Sequence, residues 1–317
     1  MKKYQDMQQN KGMKKQEPAI TTLIYNLRGV LSMLLLYTNT LFCFTVLLLP
    51  IAFLKLLVPI RGWRKLCGLL LNGIAVLWIS VNNFNISWSQ RIKWDVRGME
   101  GLSLRQWYLV ISNHQTWVDI VVQQKIFNRR IPFLKFFLKK ELIWVPLLGI
   151  AWWALDFPFM KRYSASFLKK HPHLKGKDIE ITRQACRKFK SLPVSIMNFV
   201  EGTRFTPEKH DKQKSPFNHL LKPKAGGIGF VLSTMGEQLS NILNVTIMYP
   251  GGDTRFWSFL CGRIKEIRIV VEKLPVTDEL LGDYIDDKEY QVKFQNWLND
   301  VWSEKDALLD SVYRRPV

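Results

Sequence analysis

The sequence predicts an α/β fold, a mixed sheet flanked by helices, preceded by an N-terminal apolar helical hairpin that anchors it in a membrane. Three observations carry this. From Gly29 to Leu54 no residue is charged, and about 20 apolar residues suffice to cross a bilayer as a helix. After the apolar segments, short β-rich runs alternate with helical patterns, as in folds with a largely parallel or mixed sheet. The chain also carries 46 Lys+Arg against 26 Asp+Glu, a formal charge of +20 over 317 residues, which points to a polyanionic partner. Such an excess suits nucleic acid or an acidic membrane surface. The uncharged segment favours the membrane, and no nucleic acid is expected.

Taken in order, residues 1–18 read as a disordered basic start, 19–95 as the hairpin, and 96–317 as the α/β domain with a closing helix. The first apolar stretch is too long for a signal peptide and no small-residue cleavage pattern follows it, so it reads as a retained anchor with the domain on the cytoplasmic side. A second apolar stretch, Leu66 to about Ile79, is borderline for crossing. Basic residues stand before, between and after the two stretches. A hairpin dipping into one leaflet near Pro50 and Pro59 keeps all three groups on one side, whereas a spanning pair puts the middle group outside. Both arrangements stay open.

Within the domain, Trp107–Ser112, Ile131–Lys139, Phe157–Lys161, Val194–Val200, Ile242–Tyr249 and Ile264–Leu274 read as strands. Trp117–Phe127, Val145–Leu155, Lys177–Leu192, Lys224–Met235 and Lys288 to about Leu309 read as helices. The cysteines, Cys43, Cys67, Cys186 and Cys261, form no CxxC pair, so neither a metal site nor a cofactor is expected.

Two motifs follow strands directly, where α/β folds place their chemistry. In "SNHQTWVDI" (Ser112–Ile120), His114 and Asp119 can meet only if the chain turns between them. Asp119 would then accept from His114 Nδ1, fix the tautomer and support a general base at Nε2. The same stretch also reads as a helix start, with Thr116 and Asp119 as a capping box. In "FVEGTRFTPEKH" (Phe199–His210), Gly202 allows close backbone approach and Arg204 offers a fork for phosphate. A plain Glu201–Arg204 ion pair across a tight turn is the alternative. Lys209, Lys212, Lys214, Lys222 and Lys224 follow, either as a solvated face or as attraction to anionic lipid.

The two motifs in this order, with an anchor ahead, resemble the glycerolipid acyltransferase family, most closely its 1-acylglycerol-3-phosphate acyltransferases. "HLLKPKAGGIGF" and the ending "WLNDVWSEKDALLDSVY" resemble one branch of it, and the resemblance runs from about Trp107 to the C-terminus. It implies an acyltransferase fold and transfer of a fatty acyl group from acyl-CoA or acyl-carrier protein to the sn-2 hydroxyl of lysophosphatidic acid or a related lysophospholipid. His114 matches the catalytic base and Asp119 its partner. Glu201, Gly202, Thr203 and Arg204 match the acceptor-binding block, and Arg162, with Lys161 beside it, matches a middle block that helps hold the acceptor phosphate. That block often reads Gly-x-x-Phe-x-Asp-Arg, and here it is "DFPFMKR"; a later Val-Pro-Val is here "LNVTI". A non-catalytic basic scaffold and a thioester or lipid hydrolase are the rival readings, although no G-x-S-x-G elbow is present to serve a serine hydrolase.

Overall fold

The structure, a computed structural model, describes residues 18–136, 138–145, 148–160, 192–284 and 286–313. The expected helix over 177–192 and the site residues Lys161 and Arg162 lie outside these, apart from Leu192.

The N-terminal apolar region folds as helix α1 (Ala19–Phe42), a π-helical stretch (Cys43–Leu48) and helix α2 (Leu49–Leu57), followed by helix α3 (Arg61–Ser89). Of the two prolines at which the sequence places the hairpin bend, Pro59 lies at the reversal and Pro50 does not. Pro50 has no N–H to give to the preceding turn, and it sits at the start of α2 directly after the widened π stretch. Reversal comes at Val58–Ile60, where Val58 is extended (φ −107°, ψ 105°), as the residue before a proline prefers. The second apolar segment is also longer than expected, because "NNFNISW" continues α3 instead of leaving it. Asn39 Nδ2 donates to Asn82 Oδ1 at 2.7 Å and to Trp78 O at 3.0 Å, so an asparagine that looks like a loop residue holds two apolar helices together. Both helical segments, Ala19–Leu57 and Arg61–Ser89, are long and apolar enough to cross a membrane.

The domain adds β1 (Lys93–Arg97), β2 (Tyr108–Ser112), α4 (Val118–Phe127), β3 (Leu134–Phe136), β4 (Leu138–Lys139), α5 (Leu148–Ala154), β5 (Phe159–Met160), β6 (Ser195–Phe199), α6 (Pro207–Gln213), α7 (Gly226–Met235), β7 (Asn241–Met248), α8 (Phe256–Leu260), β8 (Glu266–Leu274) and α9 (Lys288–Tyr313). Six strands form one sheet in the order β1-β8-β7-β2-β6-β3, and β4 pairs with β5 separately. β7, β2, β6 and β3 run parallel, whereas β8 is antiparallel to β7 and carries β1 parallel to itself. The mixed sheet expected from the sequence is therefore present.

Every residue of β2 is buried, which is why its sequence shows no apolar/polar alternation. Leu109 and Ile111 face one core, shared with α7 and with Phe294, Leu298 and Trp302 of α9. Tyr108 and Val110 face the other, shared with Val118 and Val122 of α4, Phe259 of α8 and Ile86 of α3. The hairpin thus contributes to the domain core. Gly29 of α1 permits this approach, since a Cβ there would stand 2.6 Å from Cys261 Sγ and 3.0 Å from the Trp257 ring.

A buried cation joins the hairpin to the domain at its other end. Lys55 of α2 is 7% exposed and donates to Ala154 O and Asp156 Oδ2, each at 2.8 Å. A lysine in an apolar hairpin needs such partners. Asp156 has φ +56°, a left-handed conformation that glycine adopts without strain, and it occupies the glycine position of the pattern that "DFPFMKR" resembles. Lys55→Met should lower thermal stability in detergent by about 3 kcal/mol, the low end for a broken buried pair because Asp156 keeps some solvent. Asp156→Gly in that background should restore most of the loss, and a differential scanning melt checks both.

Candidate active site

Three neighbouring parallel strands, β7, β2 and β6, end on the same edge of the sheet, and the candidate residues sit just beyond those ends. His114 lies two residues past β2, Glu201 two past β6 and Tyr249 one past β7. Sheet order brings together positions that are far apart in sequence.

The His114–Asp119 contact expected from the sequence is present: Nδ1 lies 2.9 Å from Asp119 Oδ2. The chain turns between them as required, because α4 begins only at Val118. The same oxygen accepts from the backbone N–H groups of Gln115 (2.6 Å) and Thr116 (2.8 Å). The Asp119 half of the expected capping box is thus present and shares one atom with the histidine contact, whereas Thr116 is not the N-cap of α4 and its hydroxyl donates to Thr254 O. Asp119 is fully buried, and its second oxygen, Oδ1, accepts from the Tyr249 hydroxyl at 2.6 Å. A carboxylate that only accepts places the proton on Nδ1 and leaves Nε2 as the basic nitrogen. Phe199 stacks on the imidazole at 3.9 Å and 14°, which fixes the plane of the ring.

The second motif grips the first through the backbone. Glu201 Oε1 accepts from the His114 N–H at 3.0 Å, and His114 O accepts from the Phe205 N–H at 2.7 Å. Glu201 Oε2 accepts from the Leu221 N–H at 3.0 Å. Glu201 has no exposed surface and both of its oxygens are occupied by backbone donors, so it holds the two turns together from beneath. Burial pushes its carboxyl up to about 7, against the pull of those two N–H groups and of the Lys305 ammonium. Lys305, from α9, is itself buried and donates to Val245 O. Burial brings it down to about 7, with Glu201 and Glu272 opposing the change.

The other three residues of the block lie toward the surface. Gly202 adopts φ +72° and closes a turn with its N–H on Phe199 O. The Lys224 side chain lies over it, with Nζ 3.4 Å from where a Cβ would stand. Thr203 Oγ1 accepts from Lys209 Nζ at 2.8 Å, and Lys209 also donates to Arg204 O at 3.0 Å. Arg204 is exposed, and its guanidinium lies 4.8 Å from the ring centre of Trp117. Stacking covers one face of the guanidinium and leaves its N–H edge for an anion. The alternative Glu201–Arg204 ion pair does not form: both Glu201 oxygens are taken by backbone donors and the Arg204 guanidinium lies over Trp117.

Three residues of the site escaped the sequence reading. Tyr249 had been placed at the end of a strand and given no further role. Asn113 is buried, with Nδ2 donating to Ile247 O at 3.0 Å and Oδ1 accepting from Ile247 N–H at 2.9 Å, so its amide extends the β2–β7 ladder past the end of β2. Trp117 was read only as a helix residue. Each owes its role to contacts across the sheet or with the Glu201–Arg204 turn.

Residues 93–250 match the family model described as Acyltransferase. The chain is 25% identical over 213 residues to the 1-acyl-sn-glycerol-3-phosphate acyltransferase gamma of Homo sapiens, covering 63% of this chain and 52% of that protein. It is 25% identical over 243 residues to the 2-acyl-1-lysophosphatidylinositol acyltransferase of Saccharomyces cerevisiae, covering 65% and 61%. The chain thus spans little more than half the length of these relatives. In fold it is similar to the crystal structure of the 1-acyl-sn-glycerophosphate (LPA) acyltransferase from Thermotoga maritima, with a TM-score of 0.53 and 16% identity over 92% of this chain and 99% of that one. Both motifs, and the three strand ends that carry them, fall inside the residues that match the Acyltransferase family model, so the chain carries the features of that family across residues 93–250.

Proposed function

We propose that the protein transfers a fatty acyl group from an acyl thioester, acyl-CoA or acyl-carrier protein, to the sn-2 hydroxyl of lysophosphatidic acid or a related lysophospholipid. The observation that carries this reading is the His114 Nδ1 contact with a buried Asp119, which leaves Nε2 as the basic nitrogen. Nε2 takes the proton as the hydroxyl oxygen attacks the thioester carbonyl. The tetrahedral intermediate collapses with loss of the thiolate, which recovers the proton from the imidazolium. A thioester is already activated, so no enzyme nucleophile is required.

Arg204, held on Trp117, and the Lys209 and Lys224 ammonium groups around the Gly202–Thr203 turn form the cationic side on which an acceptor phosphate would rest. Lys161 and Arg162 are proposed to join them, on the resemblance of their segment alone. The two named relatives, one for a glycerol phosphate acceptor and one for a lysophosphatidylinositol, both point to a lysophospholipid. Both apolar helices would keep the site at an anionic bilayer surface on the cytoplasmic side, where acceptor and product reside.

Purified protein in detergent, given lysophosphatidic acid and labelled acyl thioesters, should yield diacyl product by mass analysis. Release of free fatty acid alone would instead indicate a hydrolase. His114→Ala should reduce product formation by at least ~10²-fold, the smaller end of what general base catalysis contributes, with the melting temperature unchanged. Arg204→Ala should raise the apparent KM for a phosphate-bearing acceptor by about 10–100-fold, the equivalent of a lost charged hydrogen bond. Glu201→Gln behaves differently: its amide nitrogen cannot accept, so either the His114 or the Leu221 N–H loses its partner. Stability should fall by about 1–3 kcal/mol and kcat with it, while the acceptor KM holds. A raised acceptor KM would return Glu201 to the acceptor pocket.

A further inference from the structure

The buried Asp119 carboxylate has a partner that the proposed chemistry leaves unused. Tyr249 Oη donates to Asp119 Oδ1 at 2.6 Å, on the side opposite the oxygen that holds His114. Both side chains are shut off from water, Asp119 at 0% and Tyr249 at 1% exposure.

Tyr249 is placed there by the sheet. Ser112, the last residue of β2, pairs with Val245, so β7 continues to Met248 beyond the end of its neighbour. The Asn113 amide bonds both backbone groups of Ile247 in that overhang, and the Gln115 side chain donates to Ile247 O at 3.0 Å. Beyond it, the Tyr249 N–H donates to the Tyr313 hydroxyl on α9 at 3.2 Å. The tyrosine is thus held from both sides with its hydroxyl aimed at Asp119. Burial above all, then the Asp119 charge and hydrogen bond, push the Tyr249 hydroxyl well above its ordinary range, so it stays a donor.

The two carboxylate oxygens are loaded unequally. Oδ2 takes His114 Nδ1 and two backbone N–H groups, whereas Oδ1 takes Tyr249. Without that hydroxyl, Oδ1 becomes a buried acceptor with one fewer partner, and turning about Cβ–Cγ to share the backbone donors would draw Oδ2 away from the imidazole. We propose that Tyr249 is a positioning residue for acyl transfer, fixing the Asp119 carboxylate so that Oδ2 stays on His114 Nδ1. The proposal rests on His114 as the base and extends it by one hydrogen bond.

The test compares full-length Tyr249→Phe and Tyr313→Phe with wild type in detergent. Tyr313→Phe removes the acceptor of the Tyr249 N–H and spares the bond to Asp119. In Tyr249→Phe, kcat for acyl transfer should fall about 10–100-fold, the equivalent of one hydrogen bond to a charged group, with KM for thioester and acceptor within twofold of wild type. Tyr313→Phe should keep kcat within threefold. The second readout is independent of activity: in protein labelled with ¹⁵N-histidine, the His114 Nδ1–H proton resonance, assigned by its loss in His114→Ala, should move upfield in Tyr249→Phe and stay in place in Tyr313→Phe. If Tyr249→Phe melts below assay temperature, 3-fluorotyrosine at position 249 keeps the shape, makes the hydroxyl a stronger donor, and should still move that resonance. An unmoved resonance, or a loss of activity confined to KM, overturns the proposal. If wild type shows no acyl transfer but the resonance responds, the reaction assignment fails and the positioning role stands.

Discussion

The site depends on one buried carboxylate that never meets solvent. Glu201 spans the His114 N–H and the Leu221 N–H, and so ties the turn after β2 to the loop before α7. A group with two accepting oxygens can serve both donors, which accounts for an acidic residue at this position. The cost of burying it is several kcal/mol before compensation. It is offset by the two charge-assisted bonds and by the Lys305 ammonium, which α9 carries into the same interior. The C-terminal helix is therefore part of the electrostatic support of the turn that carries His114. Asp306 and Asp310 reinforce it, Asp306 accepting from the Asn218 and His219 N–H groups and Asp310 meeting the His219 ring at 2.8 Å.

The parts of the fold legible in the sequence are those governed by local rules. β2, β6, β7 and β8 were visible as short β-rich runs, and α4, α5, α7 and α9 as helical patterns. β1 was missed because "KWDVR" is a charged edge strand, polar enough to resemble a connection. The continuation of α3 was missed because its asparagines have the composition of a loop, and only the partner helix reveals that Asn82 is bonded. In the site, His114 and Asp119 could be paired because the turn between them is encoded locally. Tyr249 could not, since it comes to Asp119 through the strand order β7-β2-β6, which no local pattern specifies. The backbone role of Glu201 is hidden for a related reason: a Glu and an Arg flanking a Gly look like a surface turn until the backbone of another motif is known to need the Glu.

The departures from the family pattern point the same way. Asp156 stands at a left-handed position where the pattern that "DFPFMKR" resembles has glycine, and Lys55 from the apolar hairpin meets it. Asn244 replaces a proline in the later block, and its Nδ2 donates to Glu272 Oε2 at 3.0 Å on the neighbouring strand β8. A proline in a central strand would remove one ladder N–H. Here β7 instead pairs continuously with β8 from Ile242 to Met248. That unbroken pairing carries β7 past β2 far enough to deliver Tyr249.

Asp119 shows why the plain and the functional readings of a motif need not compete. A carboxylate at a helix start is stabilised by the exposed N–H groups of the turn before it, and those groups in turn pin the carboxylate. Gln115 and Thr116 hold Oδ2 from the backbone side, so its remaining lone-pair direction is fixed before any histidine is considered. His114 needs only to lie at the start of the same turn for Nδ1 to meet that direction. The four-residue interval between them is what the turn requires: it is long enough to leave the strand and place the acid in the first helical turn, and short enough that the histidine backbone is still held by the neighbouring strand end through Glu201. The backbone bonds at the helix start are thus the means by which the acid is oriented, and the His114–Asp119 pair is built on them.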